Sequence, residues 1–140
     1  DATDSSSLII LENEFFKYDE IRFNIGVDSL TNVSGIFEGD LDPANGMYWT
    51  WQSGYINFKL EGISSLCPAR KNKFYWHIGG YSPPFNTLRQ VALKTNGEIS
   101  IQLEQLFEEI DISVEYQVMS PNDNAVQIAD KLPSLFRSNQ

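Results

Sequence analysis

Residues 54–62 read GYINFKLEG, and residues 73–80 read KFYWHIGG. In the first stretch Ile56, Phe58 and Leu60 alternate with Asn57, Lys59 and Glu61; in the second Phe74, Trp76 and Ile78 alternate with Tyr75 and His77. An apolar residue at every second position describes an extended strand with one face in a core and the other toward water. The same period recurs along the chain. EIRFNIGV (20–27) sets Ile21, Phe23, Ile25 and Val27 against Arg22, Asn24 and Gly26. LIILENEF (8–15), LRQVALK (88–94), EISIQLEQLF (98–107) and IDISVEYQV (110–118) read as further strands.

Breakers separate these runs. GGYSPPFN (79–86) holds two prolines that cannot donate to a ladder. Asn96-Gly97 signals a hairpin between 88–94 and 98–107, and SPNDN (120–124) is a polar turn. AVQIADKLPSLF (125–136) is the one stretch with helical character, and Pro133 ends it. Strands with a wet face pair antiparallel, and a parallel sheet would need crossover helices. The expected fold is therefore all-β, an antiparallel β-sandwich of the Ig-like or jelly-roll-like kind, closed by a short C-terminal helix. The 140 residues suit a single domain, 1–140.

Apolar residues make up 41% of the chain and aromatics 13%, enough for a compact core. The net charge of −9 disfavours nucleic acid and anionic membrane surfaces as partners. No run approaches the length of a transmembrane helix, and no signal peptide or acylation signal is visible. The chain opens on DATDSSS, as a processed product or the later part of a longer chain would. With one cysteine, Cys67, no intrachain disulfide can form; its setting, SSLCPARKNK, reads as a polar loop carrying an ordinary free thiol, with a reactive or metal-binding thiol as the alternative.

Three stretches have a claim to chemistry. EGDLDPANG (38–46), shortly after Asp28, gathers Glu38, Asp40, Asp42 and Asn45, hard oxygen donors of the type calcium takes. No EF-hand spacing is present, and the plainer alternative is a turn whose Asp and Asn side chains bond their own backbone. GMYWTWQSGY (46–55) follows. Trp49 and Trp51 share one side if the segment is extended, and are expected to help close the core beneath the acidic turn; a tryptophan at a site edge could instead guide electrons or become oxidised. His77 is the single histidine and cannot build a closed zinc or copper site alone. GxSxG, GxGxxG and P-loop patterns are absent, Glu108-Glu109 reads as a solvated strand end, and Asn32-Val33-Ser34 is a formal glycosylation sequon. The expectation is that the protein is not an enzyme.

FNIGVDSLTNVSG, GDLDPANGMYWTWQSGYINFKLEG and FYWHIGGY together resemble the MbnP-like family, bacterial periplasmic or lipid-anchored relatives of the methanobactin-associated copper-binding protein. The resemblance spans about residues 8–136 and is strongest over 21–81. It implies a β-sandwich exported to the periplasm or cell surface, with Bacteroidetes as the typical source. It also implies copper held by histidines and by kynurenine, an oxidised tryptophan made by a di-haem partner of the cytochrome peroxidase type. By that implication His77 is a copper ligand, and Trp49 or Trp51, in the WTW block, is the residue open to modification. Two departures stand out. The family domain usually begins earlier, so either this chain is a processed fragment or a second chain, as partner, completes the sheet, and one histidine falls short of a two-histidine site. The alternative is a structural or interaction sandwich steadied by calcium at Asp40, Asp42 and Asn45.

Overall fold

The computed structural model describes residues 19–94 and 97–138. The expected strand at 8–15 and residue Asn96 lie outside the described residues. Within them the strands are β1 (Glu20–Ile25), β2 (Tyr48–Thr50), β3 (Gly54–Ile63), β4 (Lys73–Gly79), β5 (Arg89–Lys94), β6 (Ile99–Ile101), β7 (Gln117–Val118) and β8 (Phe136–Ser138). The α-helices are α1 (Ser29–Val33), α2 (Glu104–Glu109) and α3 (Asp123–Lys131). The strands form a four-stranded sheet in the order β2-β3-β4-β7 and two-stranded pairs β1-β5 and β6-β8. The protein is an all-β sandwich with short helices.

The β3–β4 pair is the centre of it. The ladder runs antiparallel from Phe58 opposite Ile78 to Ile63 opposite Lys73, with an irregularity between Ile56 and Phe58. The alternation of faces read from the sequence holds from Phe58 onward and along β4, but the face expected toward water is covered at His77 and Gly79, and Ile56 is buried outside the main core. Phe74, Trp76 and Ile78 enter the main core, and Phe58 and Leu60 pack against it. The opposite layer of that core comes from Leu106 of α2, Ala125, Ile128 and Ala129 of α3, and Leu132 and Leu135 just beyond it, so a helix covers much of what a second sheet would cover in a plain sandwich. α3 starts where Asn122 accepts from the Ala125 N–H at 2.9 Å, an N-cap bond. It stops before Pro133, as expected, in a 3-10 turn over Leu132–Leu135.

β1 keeps the predicted alternation and pairs antiparallel with β5, from Glu20 opposite Lys94 to Ile25 opposite Arg89. It ends at Ile25, before Val27, because Gly26 turns the chain at φ 107° against the Asn57 side chain, where a Cβ would sit 2.3 Å from Cγ.

The second half of the chain departs from the expectation in four places. Among the described residues the expected pairing of 88–94 with 98–107 is replaced: β5 pairs with β1, and β6 with β8. The strand expected over 98–107 stops at Ile101, and α2 follows. Leu106 and Ile110 are both buried, a spacing of four that fits one side of a helix, and Glu104-Gln105-Leu106 are good helix formers. Glu108 and Glu109 accordingly sit at a helix end, where Glu109 pairs with Lys131 at 2.8 Å. The strand expected over 110–118 shrinks to Gln117–Val118. The Asp111 carboxylate accepts from the Ser113 N–H (2.9 Å) and hydroxyl (2.6 Å), folding a local turn that competes with a ladder. Finally, β7 lies parallel to β4, with Tyr75 opposite Gln117, so the pairing is not antiparallel throughout.

Cys67 is also not the loop thiol its neighbours suggest. It is 1% exposed, part of the main core, with Sγ donating to the Lys73 carbonyl at 3.2 Å. The formal sequon fails on burial. Asn32 is enclosed, and its amide bonds the carbonyls of Val27 (3.0 Å) and Asp28 (2.9 Å) while its oxygen accepts from the Tyr55 N–H (2.9 Å).

Candidate metal centre

Tyr75, His77 and Gly79 alternate onto the face of β4 opposite the core residues Phe74, Trp76 and Ile78. His77 is 8% exposed there. Its Nε2 lies 2.6 Å from Oε1 of Glu61, which β3 carries to the same face. Lys59, directly across the ladder from His77, sits 3.7 Å from the same carboxylate oxygen. An imidazole whose Nε2–H donates to a carboxylate carries its lone pair on Nδ1, the arrangement that orients a metal-binding histidine. Nδ1 has no hydrogen-bond partner among the described residues. The sequence marks Glu61 only as an outward-facing strand residue. The ladder that sets it diagonally beside His77 becomes visible once the strand register is known.

The imidazole hydrogen bond, followed by the nearby Lys59 charge, holds the Glu61 carboxyl below its ordinary value of 4.5. A carboxylate with a depressed folded-state pKa contributes stability above its unfolded pKa and loses it as pH falls through the folded value. Glu61 is partly open to solvent, which screens the effect to roughly 0.5 kcal/mol. The expected result for Glu61→Gln is a slight loss of stability near neutral pH and a shallower fall below about pH 4.5, measured by urea melts across that range. An acid limb identical to that of the parent would show that the pair contributes nothing.

The two candidate tryptophans part company. Trp49 lies in β2, and its indole covers Gly79: a Cβ at Gly79 would stand 2.9 Å from Trp49 Cζ3. Gly79 is two residues beyond His77 on the same face of β4, so the absence of a side chain at 79 admits the Trp49 ring to the neighbourhood of His77. Trp51 lies in the turn after β2 and is 76% exposed. The expectation that both rings close the core is corrected: β2 ends at Thr50, and the tight return into β3 turns Trp51 outward. The core tryptophan is Trp76.

The acidic loop sits close by. Tyr55, next to the start of β3, donates its hydroxyl to the Leu41 carbonyl at 2.8 Å, and Lys59 reaches the Gly46 carbonyl at 3.5 Å. Within the loop, Asp42 Oδ1 accepts from the Ala44 N–H at 2.8 Å and the Asn45 amide donates to the Gly39 carbonyl at 2.9 Å. Those are the turn bonds the alternative reading foresaw. The Asp40 carboxylate and Asp42 Oδ2 remain available as oxygen donors, and no third His, Cys, Asp or Glu joins them to make a metal-holding group among the described residues. Asp28 lies apart from this loop as the N-cap of α1, accepting from Thr31 N at 2.8 Å.

The family model named MbnP matches residues 1–128. The chain belongs to the MbnP family. The match takes in the blocks that carried the resemblance, and with them His77, Trp49 and the loop at 38–46 of this MbnP member. No curated protein and no solved structure matches it. Among the described residues no helix of this MbnP member is long and apolar enough to cross a membrane.

Proposed function

We propose that this MbnP-family member is an exported, non-catalytic copper-binding protein in which His77 supplies a nitrogen donor through Nδ1. One observation carries the proposal: a nearly buried imidazole is oriented by a carboxylate through Nε2 and keeps its other nitrogen free of hydrogen bonds among the described residues. Glu61 fixes the tautomer and ring angle, and Lys59 helps to hold Glu61 in place. Copper would supply redox or transfer capacity at a site with an imidazole donor. His77 is a single donor, so the site needs at least one more. Trp49 is the tryptophan packed beside this face, and its oxidation to kynurenine by a di-haem partner, with peroxide as the oxidant and indole carbon 2 leaving as formate on hydrolysis, would replace a donor-poor indole with an amine and a ketone. On this proposal Trp49, not the exposed Trp51, is the modified residue.

The test is elemental analysis and peptide mass mapping of protein from its native source, together with copper titration of His77→Gln and Glu61→Gln. The expected results are bound copper, a kynurenine mass change on the peptide of Trp49, and loss of tight binding in His77→Gln. Glu61→Gln should weaken binding roughly 10- to 100-fold, as removal of an orienting partner does. Unchanged copper content in His77→Gln would overturn the proposal. The same analysis reports calcium, which would instead place the ion at Asp40, Asp42 and Asn45 and make the protein a calcium-steadied interaction module.

A further inference from the structure

Arg70, Lys71 and Lys73 lie within four consecutive residues and line one concavity of about 450 Å³ together with Ala69, Tyr75 and Gln117. In a chain with ten Lys and Arg against 19 Asp and Glu, this is a concentration of positive charge that no carboxylate among the described residues pairs with. Arg22, Lys59, Arg89 and Lys131 each pair with an acid. Arg70, Lys71 and Lys73 have no ion pair or side-chain hydrogen bond among the described residues. Glu61 lines the neighbouring hollow beyond Lys73, but its carboxylate is already engaged by His77 and Lys59.

The backbone adds an independent observation. Lys71 adopts φ 63°, ψ 20°, and Asn72 φ 54°. The left-handed region suits glycine and tolerates asparagine, whereas lysine there is disfavoured. A turn that keeps lysine where glycine would relax it is explained if the side chain has a task. The walls come from separate parts of the fold. β4 contributes the half-buried Tyr75 ring, and the parallel pairing of β7 sets Gln117 directly beside it.

We propose that this concavity binds a small multivalent oxyanion, with Arg70, Lys71 and Lys73 opposing its charge, Gln117 offering an amide donor and Tyr75 forming the wall. The volume falls within the range of small-molecule sites. Size also decides against a macromolecular polyanion. The remaining surface is acidic and would repel anything extending beyond the hollow, whereas a small anion feels mainly the three cations within a screening length of about 8 Å. Carboxylate and phosphate oxygens share this chemistry, and Arg recognises both.

The full chain, free of metal, would be titrated at low ionic strength with citrate and, separately, with pyrophosphate, following amide NMR shifts and heat of binding. The expected result is saturable binding of at least one of them, with shifts centred on 70–75 and on Gln117. Binding of only one anion assigns carboxylate or phosphate; binding of both shows selection by charge. Lys71→Gly should keep the fold, since glycine suits the turn, and weaken binding about tenfold. Lys94→Gln, an exposed cation elsewhere, should leave binding unchanged. Absence of saturable shifts with both anions, or equal weakening by Lys94→Gln and Lys71→Gly, would overturn the proposal.

Discussion

Trp76→Ala is expected to remove about 4 kcal/mol of stability, the range for deleting a large buried ring. The indole is fully enclosed, tilted against Phe74 at 5.2 Å and stacked on Phe107 at 5.4 Å and 28°. Its Nε1–H donates to the Glu115 carbonyl at 2.5 Å, tying β4 to the segment that leads into β7. Alanine leaves a cavity between β4 and α2 and a carbonyl with no donor, and both effects destabilise. Against a typical total of about 5–15 kcal/mol, the loss is large enough to lower the melting temperature by roughly 10–20 °C. Urea unfolding followed by far-ultraviolet circular dichroism measures it without relying on tryptophan emission. Trp76→Phe separates the two parts: stacking returns in large measure, while the Glu115 carbonyl stays unpaired. Trp51→Ala is the contrast, with an expected change within about 0.5 kcal/mol because the ring is exposed. A loss at Trp76 no larger than that at Trp51 would contradict the packing described here.

Asn32→Ala is expected to lose about 2–3 kcal/mol, although it deletes only a few atoms. The side chain makes three hydrogen bonds in an enclosed position, two to the carbonyls of Val27 and Asp28 and one from the Tyr55 N–H. Removing it leaves the buried amide of Tyr55 without a partner where β3 begins, and that unpaired group sets the cost. Asn32→Asp should be worse than alanine, since a carboxylate would face two carbonyl oxygens. Thermal melts give the magnitude, and hydrogen exchange at Tyr55 gives the location: its amide should exchange faster while that of Trp76 changes little. Because Tyr55 pairs with Tyr48 of β2, loosening this point also loosens the strand that carries Trp49. A variant as stable as the parent would mean that water replaces the side chain without loss.

The candidate site was only partly legible in the sequence. His77 stood out as the single histidine, and alternation placed it opposite the core. Its partner Glu61 lies 16 residues away, and nothing local marks the two as neighbours. Trp49 and Trp51 share a residue spacing of two, so an extended reading gives them the same side; the turn at 51–53 breaks that relation. Cys67 shows the limit from the other direction. It sits in a loop-like stretch between exposed Leu66 and Pro68, yet its side chain points inward, because burial is decided residue by residue and window composition averages over it.

What the sequence determined by itself was the set of strands with alternating faces, β1, β3 and β4, and the shorter candidate β5, together with α3 and its stop at Pro133. These follow from patterns confined to a few residues, where the period of two or the ring of a proline leaves the backbone little choice. Tertiary structure decided which strands pair. β5 turned to β1 and β6 to β8, although the Asn96-Gly97 signal favoured a hairpin. It also decided how the stretches at 98–107 and 110–118 divide among strand, helix and turn. Apolar residues there fit more than one period, so contact with β4 and α3 settles what local preference leaves open. The pairing of Glu61 with His77, and the seating of the Trp49 ring over Gly79 two residues on, belong to this second class, because they depend on the register between β3 and β4 and on the space left at Gly79.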